Sequence, residues 1–396
     1  SLAWRVSEEK FMEEQSIFQD LKLRIGYGQS GNQNIDPYTS QRLYGPQSSQ
    51  FMYNGEWINS YGVSQNPNPD LKWETTAMAN IGLDYTILGG RVSGTLDFYN
   101  KETKDMLYKY NVPSPPYQYN QLLANGASMT NRGVEFMVNV VAVDRPDFSW
   151  TTNFNVAYNK NKIGSLDSNV DNLSISERYE GTMYLEGWTA QTVSIVRPGL
   201  PIGTFYTYKY MGYDAEQQKT LYENAAGEIV TIDKLKSPDD YQVVGSALPK
   251  ITFGWNNTFR YKRWDLNFFL RGVAGNKIFN ASRADLSRLT QAAICNISHE
   301  AVEDGIMEAP QPSSRWLENG SFLKLDNVTL GYQFDTKKMP GINNLRVYVT
   351  GQNLFTITKY TGIDPEVSLS GLAPGIDNRN YYPKTRSFLL GVNISF

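Results

Sequence analysis

The sequence predicts an all-β protein, an antiparallel transmembrane β-barrel of about twelve strands with short turns at one end and long loops at the other. Three observations predict it: alternation that runs to the last residue, an aromatic-rich composition without a long apolar run, and connections that are long and short in strict turn. From Phe388 to Phe396 every second residue is apolar (Phe388, Leu390, Val392, Ile394, Phe396), with Gly391, Asn393 and Ser395 between them and Leu389 the exception. Period two marks a strand with one apolar face. Termini of water-soluble domains usually fray, whereas a barrel in lipid tolerates no open edge, so a terminal strand of this kind is expected to be ordered in a bacterial outer-membrane wall.

Composition narrows the class. The 396 residues include 26 Tyr, 18 Phe and 8 Trp, rings favoured at membrane interfaces and on sugar-binding surfaces. Mean hydropathy is −0.45 and no apolar run is long enough for a transmembrane helix, as expected where apolar residues are spread by alternation. A net charge of −3 without a basic patch argues against nucleic acid as a partner. The single cysteine excludes an internal disulfide framework. The chain opens Ser1-Leu-Ala-Trp4 without a signal peptide although a barrel is exported, so the expectation is a removed signal or a piece of a longer polypeptide.

The alternation places the strands in order. In 18–29, Leu21, Leu23, Ile25 and Tyr27 share one face and Lys22, Arg24, Gly26 and Gly28 the other. Strand 74–87 aligns Ala77, Ala79, Ile81, Leu83 and Tyr85, and Gly89-Gly90 turns it tightly into 91–103. Strand 130–143 turns through Asp144-Arg-Pro-Asp147 into 148–159, and 188–197 through Pro198-Gly-Leu-Pro-Ile-Gly203 into 204–213. Strand 250–261 turns at Tyr261-Lys-Arg-Trp264 into 265–274, 322–335 leads into 345–356, and 384–396 ends the series. Residues 1–17 read as the end of an earlier strand and an acidic turn, so the strands are expected to form an open sheet whose first and last members do not pair.

Loops beyond about 15 residues are rare in compact soluble domains. Here they recur on alternate connections, which puts them all at one end, the arrangement of an outer-membrane barrel. Twelve residues at about 3.3 Å each, tilted roughly 45°, rise about 28 Å, which suits its apolar band. Tyr85, Trp150, Tyr261, Phe334 and Phe396 fall near the periplasmic strand ends, with Phe98 and Tyr158 near the other, where aromatic girdles belong. Leu83, Phe98, Phe136, Phe154, Phe253, Phe268, Leu330, Val349 and Leu390 carry the lipid-facing phase. Lys22, Arg24, Glu74, Asp84, Asp97, Glu135, Asn153, Asn155, Asn256, Arg271, Asn327, Gln333 and Gln352 carry the opposite one.

Catalytic chemistry finds little footing. His299 is the one histidine, and no nucleophile-elbow motif accompanies it. Cys295 and His299 have the spacing of one helical face, but two ligands do not close a zinc site, and Cys295 reads better as a small apolar residue of a loop helix. No enzyme activity, cofactor or metal is expected. The loop aromatics Tyr38, Tyr44, Trp57, Tyr61, Tyr117, Tyr119, Trp316, Tyr381 and Tyr382 are the candidate contacts to a solute or to a lid protein, with packing among the loops as the alternative use.

Several segments carry a family resemblance. The run Leu21-Lys-Leu-Arg-Ile-Gly-Tyr-Gly-Gln-Ser-Gly-Asn32 resembles a segment of SusC/RagA-type TonB-dependent transporters of Bacteroidetes. So do Asn68-Pro-Asp-Leu-Lys-Trp-Glu74, Asn131-Arg-Gly-Val-Glu135, Gly199-Leu-Pro-Ile-Gly-Thr-Phe-Tyr206, Gly245-Ser-Ala-Leu-Pro-Lys250 with Gly275-Asn276, Gly351-Gln-Asn-Leu-Phe355 and Tyr382-Pro-Lys-Thr-Arg386. The resemblance covers the whole chain and the C-terminal half of the family's barrel. It implies that 1–396 is part of one barrel domain of twenty-two strands, with the plug and N-terminal domains outside this chain and the inward polar residues lining the lumen. It implies an outer-membrane importer of oligosaccharides or oligopeptides, working with a SusD-like surface lipoprotein and with TonB through the absent N-terminal part. The family's acidic Asp-x-Asn-Gly-Asp-Gly stretch is missing; Asp214-Ala-Glu-Gln-Gln-Lys219 and Asn224-Ala-Ala-Gly227 stand there, which argues against a divalent cation in that loop. A self-contained twelve-stranded pore and a soluble β-rich glycan-binding module are the alternatives. The first should lack the family segments; loop parity counts against the second.

Overall fold

The computed structural model describes residues 1–33, 35–168, 170, 175–183, 191–379 and 382–396. Its main sheet has eleven strands in sequence order, each antiparallel to its neighbours. They are β1 (Leu2–Arg5), β2 (Phe18–Asn32), β3 (Glu74–Ile87), β4 (Val92–Asn111), β5 (Gln121–Arg145), β6 (Phe148–Ile163), β7 (Ile251–Tyr261), β8 (Trp264–Ala274), β9 (Phe322–Gln333), β10 (Asn344–Thr358) and β11 (Ser387–Ser395). The sheet is open: among the described residues no ladder joins β2 to β11, as the sequence led us to expect.

Register decides which side chains share a face, because residues directly opposite across a ladder point the same way. One row runs Leu23–Leu83–Leu96–Phe136–Val156–Phe253. Another runs Leu266–Leu330–Val349–Leu390. All nine residues expected on the lipid-facing phase lie on this continuous apolar face. The thirteen expected inward lie on the other, where Arg24 bridges Asp84 and Asp97 at 2.8 Å each and Arg346 pairs with Asp265. The turn-end girdle is richer than the sequence suggested, since Trp264 and Tyr332 also join it, their ring centroids 4.7 Å apart and Tyr332 packing edge-on to Phe334. Turns at this end are short; Gly89 and Gly90 adopt φ of +66° and +84°, backbone that a side chain would strain.

Two expectations fail. The hairpin 188–197/204–213 is not in the wall: residues 188–190 lie outside the described residues, and the strands Gln191–Val196 and Thr204–Thr207 belong to a separate four-stranded sheet with Arg178–Met183 and Gln242–Ser246. Removing one hairpin leaves the up–down parity intact, so parity did not expose the error; the expected twelve strands fall to ten, and β1, the earlier strand end read in residues 1–17, makes eleven. The second failure is at 104–129, where a long loop was expected. There β4 and β5 continue as paired strands beyond the others, leaving 112–120 as their connection.

Above the wall the loops fold into a cap. It holds the four-stranded sheet, a three-stranded sheet (Lys209–Asp214, Lys219–Glu223, Ile229–Thr231), and a second three-stranded sheet that joins Lys277–Asn280, Leu317–Asn319 and Ile376–Asp377 from two different loops. Short helices α1 (Ala281–Leu286) and α2 (His299–Asp304) are capped by Asn280 and Ser298 side chains, which accept from the N–H groups of Arg283 and Ala301. Every buried apolar cluster among the described residues lies in this cap and the strand ends beneath it; the largest gathers Met183, Val193, Phe205, Phe279 and Trp316.

Candidate functional site

The polar face carries a concavity where β8, β9 and β10 meet the return of the last loop. This cleft of about 590 Å³ is lined by Arg271, Lys324, Asp326, Asn327, Gln352, Asn353 and Tyr382 to Thr385. Alternation places Arg271, Asn327 and Gln352 here, and the register shift between Leu325 and Asn327 turns Lys324 to the same face, so that Arg271 pairs with Lys324 and Asn327 with Gln352. A bulge at Asp326 and a left-handed Asn353 (φ +56°) bring their side chains to the same rim.

The electrostatics centre on Glu366, which descends from the loop above. Its carboxylate accepts from Arg271, from Lys384, and from Lys324 Nζ at 2.7 Å. Arg271 also donates to Asp326 at 2.7 Å. Burial opposes ionisation of Glu366, but the hydrogen bonds from Arg271, Lys324 and Lys384 outweigh it and hold its pKa down to about 2. Lys324 itself is only 2% exposed. Behind this node the loops are cross-tied: Glu318 accepts from the Thr361 N–H at 2.7 Å, and buried Tyr360 donates to Asp377, with burial and that carboxylate both pushing the phenol pKa up.

A second concavity of about 480 Å³ lies on the same face under β3–β6, lined by Asn80, Asp97, Tyr99, Lys101, Asn131, Glu135 and Asn159 among others. Tyr99 donates to Asn159 there, and Asn161 to Asn131. The amides here offer both donors and acceptors beside the charged Asp97, Lys101 and Glu135.

The loop aromatics separate into distinct environments. Tyr44, Trp57 and Tyr61 project from one face of a two-stranded hairpin (Leu43–Tyr53 with Glu56–Gln65), and Phe51 and Ile58 from its other face; all five are exposed, as is nearby Tyr38. Tyr119 is brought to the base of that loop, where its N–H donates to Asn66 and its carbonyl accepts from the Asn66 amide; Tyr117, partly buried, lies in the same 112–120 connection. Tyr382 is exposed at the cleft. Trp316, 1% exposed, is packed in the cap core with its indole N–H donating to the Gln311 carbonyl, so it holds the loops together. Tyr381 lies outside the described residues. Cys295 and His299 share no helical face: α2 begins at His299, which pairs with Glu303. Of the residues that build the charged node, Lys384 lies in a segment that carries the family resemblance, while Glu366, Asp364 and Lys324 carry no sequence signal, because they come from separate segments and none repeats a motif with a stated mechanism.

Comparison with known proteins follows this geometry closely. Residues 1–354 match the family model described as TonB dependent receptor-like, beta-barrel. The chain is 31% identical over 417 residues to TonB-dependent receptor P26 of Formosa agariphila, all of this chain and 42% of that protein. It is 33% identical over 412 residues to TonB-dependent receptor SusC of Bacteroides thetaiotaomicron, all of this chain and 39% of that protein. Among solved structures it is similar to the RagAB peptide transporter, with a TM-score of 0.81 and 26% identity over all of this chain and 43% of that one. The chain thus spans about two fifths of the length of the curated relatives it matches.

Proposed function

This chain belongs to the TonB-dependent receptor-like β-barrel family of the outer membrane, and from that premise we propose that it forms wall and extracellular cap of an importer for oligosaccharides or oligopeptides. The observation that carries the reading is the facing of the wall. One predominantly apolar face suits lipid, and the opposite face is polar, concave and roofed by a folded cap, the form of a path for solutes that need many hydrogen bonds. Similarity to the RagAB peptide transporter supports a peptide cargo, and similarity to TonB-dependent receptor SusC supports the receptor family. No covalent chemistry is part of this reading.

The partners belong to the same proposal. A SusD-like surface lipoprotein docks on the hairpin around Tyr44, Trp57 and Tyr61. A two-stranded hairpin with apolar side chains bare on both faces is marginal in water alone, which supports a covering protein there. Energy enters through TonB, contacting parts of the protein beyond this chain, and the plug and the remaining strands complete the barrel. The test is uptake of labelled oligosaccharide and oligopeptide pools by cells making the full-length protein, with and without an uncoupler of the proton gradient. Uptake that the uncoupler abolishes and that Trp57→Ala with Tyr61→Ala reduces is the expected result. Uptake indifferent to the uncoupler refutes the importer reading.

A further inference from the structure

The segment 359–379, here the strap, is fixed to the cap on one side and to the wall on the other by different means. On the cap side it pairs Ile376 with Phe279 and Asp377 with Asn280 in a short parallel ladder. Leu372 packs against the clusters at the ends of β4, β5 and β6, whereas over β8 and β9 the strap's ties are carboxylates. Glu366 accepts from Arg271 of β8 through one oxygen and from Lys324 of β9 and Lys384 through the other. Asp364 stands 4.0 Å from Lys324 and 3.8 Å from Lys384. One carboxylate held by a guanidinium and two ammonium groups is how proteins bind carboxylate ligands, and here a side chain of the protein itself fills the place.

We propose that Arg271, Lys324 and Lys384 form a carboxylate-binding subsite of the solute path, occupied by Glu366 at rest, and that an incoming solute carboxylate exchanges with Glu366 and frees this part of the strap from β8 and β9. Charge counting supports exchange over simple detachment. With Asp364 and Glu366 in place the six groups balance. Without them the three cations face only Asp326, leaving two positive charges on the wall. Lys324 is almost wholly buried, and a buried ammonium stripped of its partner is strongly disfavoured, so the strap leaves readily only when another anion takes its place. The space for that anion is present: the cleft opens beside the same three cations and is edged by Asn327, Gln352 and the exposed Tyr382. A neutral solute satisfies the amides but not the cations.

The chemistry fits two sources, the C-terminus of a peptide or a uronic acid of an oligosaccharide, and the test separates them. It rests on the importer reading only for the side from which solute arrives, and its readout is independent of uptake, so either can fail alone. In the purified full-length protein, with Cys295 and any other cysteine replaced by serine, a nitroxide on S370C reports strap mobility. The probes are N-acetyl-trialanine against N-acetyl-trialanine amide, and trigalacturonate against its methyl ester. We expect a carboxylate probe to raise the mobile fraction about threefold over its neutral counterpart, N-acetyl-trialanine alone pointing to peptides and trigalacturonate alone to acidic glycans, a ratio within reach of one charged hydrogen bond. E366Q should be mobile without probe. K384Q, at an accessible side chain, removes one of the three cations that hold Glu366, should raise the mobile fraction without probe about twofold, and serves if E366Q does not assemble. Carboxylate and neutral probes acting alike, an E366Q strap as immobile as the parent, or a K384Q mobile fraction without probe unchanged from the parent each overturn the proposal.

Discussion

The wall and the cap are built from the same strand-forming chemistry but for different solvents. The cap buries apolar side chains as a water-soluble domain does, with Phe205, Phe279 and Val193 at 0% exposure. The wall has no such core among the described residues; its apolar side chains stand outward, Leu390 at 74% exposure and Val349 at 50%. Its cohesion is the backbone ladder plus ion pairs such as Arg24–Asp84 on the polar face. The lesson is that hydrophobicity holds the cap together, whereas in the wall it only selects which face meets lipid, because lipid tails compete for apolar side chains as well as neighbouring residues do.

Breaking the cap core should therefore have the largest effect and leave the wall standing. Trp316→Ala removes a fully buried ring and its hydrogen bond to Gln311 and should cost about 3–5 kcal/mol. Limited proteolysis should then cut within the cap while the barrel of the full-length protein keeps its heat-resistant mobility on gels. Loss of both together would mean that wall and cap are one cooperative unit. The complementary change is on the wall. Phe268→Arg places a charge on the apolar face opposite Val328 and Asn257 and should cost about 2–4 kcal/mol. Asn155→Arg, on the polar face, should stay within about 0.5 kcal/mol. Unfolding titrations in lipid vesicles compare them, and equal costs would contradict the facing.

Acid should sharpen the contrast next. Glu366 is held to about 2 in the folded state against an ordinary 4.5, so its contribution is fully present above about pH 4.5 and fades as pH falls toward 2. The burial of Glu308 works against ionisation, but hydrogen bonds from Thr220 and Lys219 win and lower its pKa in the same sense. Glu300 is likewise lowered, first by its hydrogen bond from Arg283. Between pH 4.5 and 2.5 the cap should lose up to about 2–3 kcal/mol, seen as faster amide exchange around Thr361 and Tyr222 while amides in the β7–β8 ladder stay protected. Protection lost first in β7–β8 would reverse the assignment.

How much of this was legible depends on what alternation encodes. It reports a strand with one apolar face and is silent on what covers that face. In the wall the cover is lipid and every registered strand was readable, down to the facing of Arg271 and Gln352. At 191–207 the same period-two pattern is covered by α1 and Trp316 instead, so a cap hairpin reads like a wall hairpin. The aromatic loop residues share that ambiguity: nothing local distinguishes Trp316, turned into the core, from Trp57, turned out. The Glu366 node was beyond reach, since its partners meet only after three chain segments are folded together.

The smallest expected effect probes the one place, among the described residues, where the wall buries a polar side chain against its apolar face. Asn257 is 1% exposed beneath Trp150, Phe259 and Phe268. It accepts from the Trp150 indole N–H at 3.1 Å, and its own amide nitrogen has no hydrogen-bond partner. If the wall behaves as the comparison requires, this pair adds little net stability, because the bond that Trp150 gains is offset by the unmet donor of Asn257. Trp150→Phe alone should cost about 1 kcal/mol, since it leaves the amide with neither bond. Adding Asn257→Leu should restore stability to within about 0.5 kcal/mol of the parent, as replacing both partners with apolar groups removes the desolvation penalty. Urea midpoints of the four proteins of this cycle decide it. A double variant as weak as the single one would mean that the buried amide organises the aromatic belt around it, and that the wall holds a small core of its own.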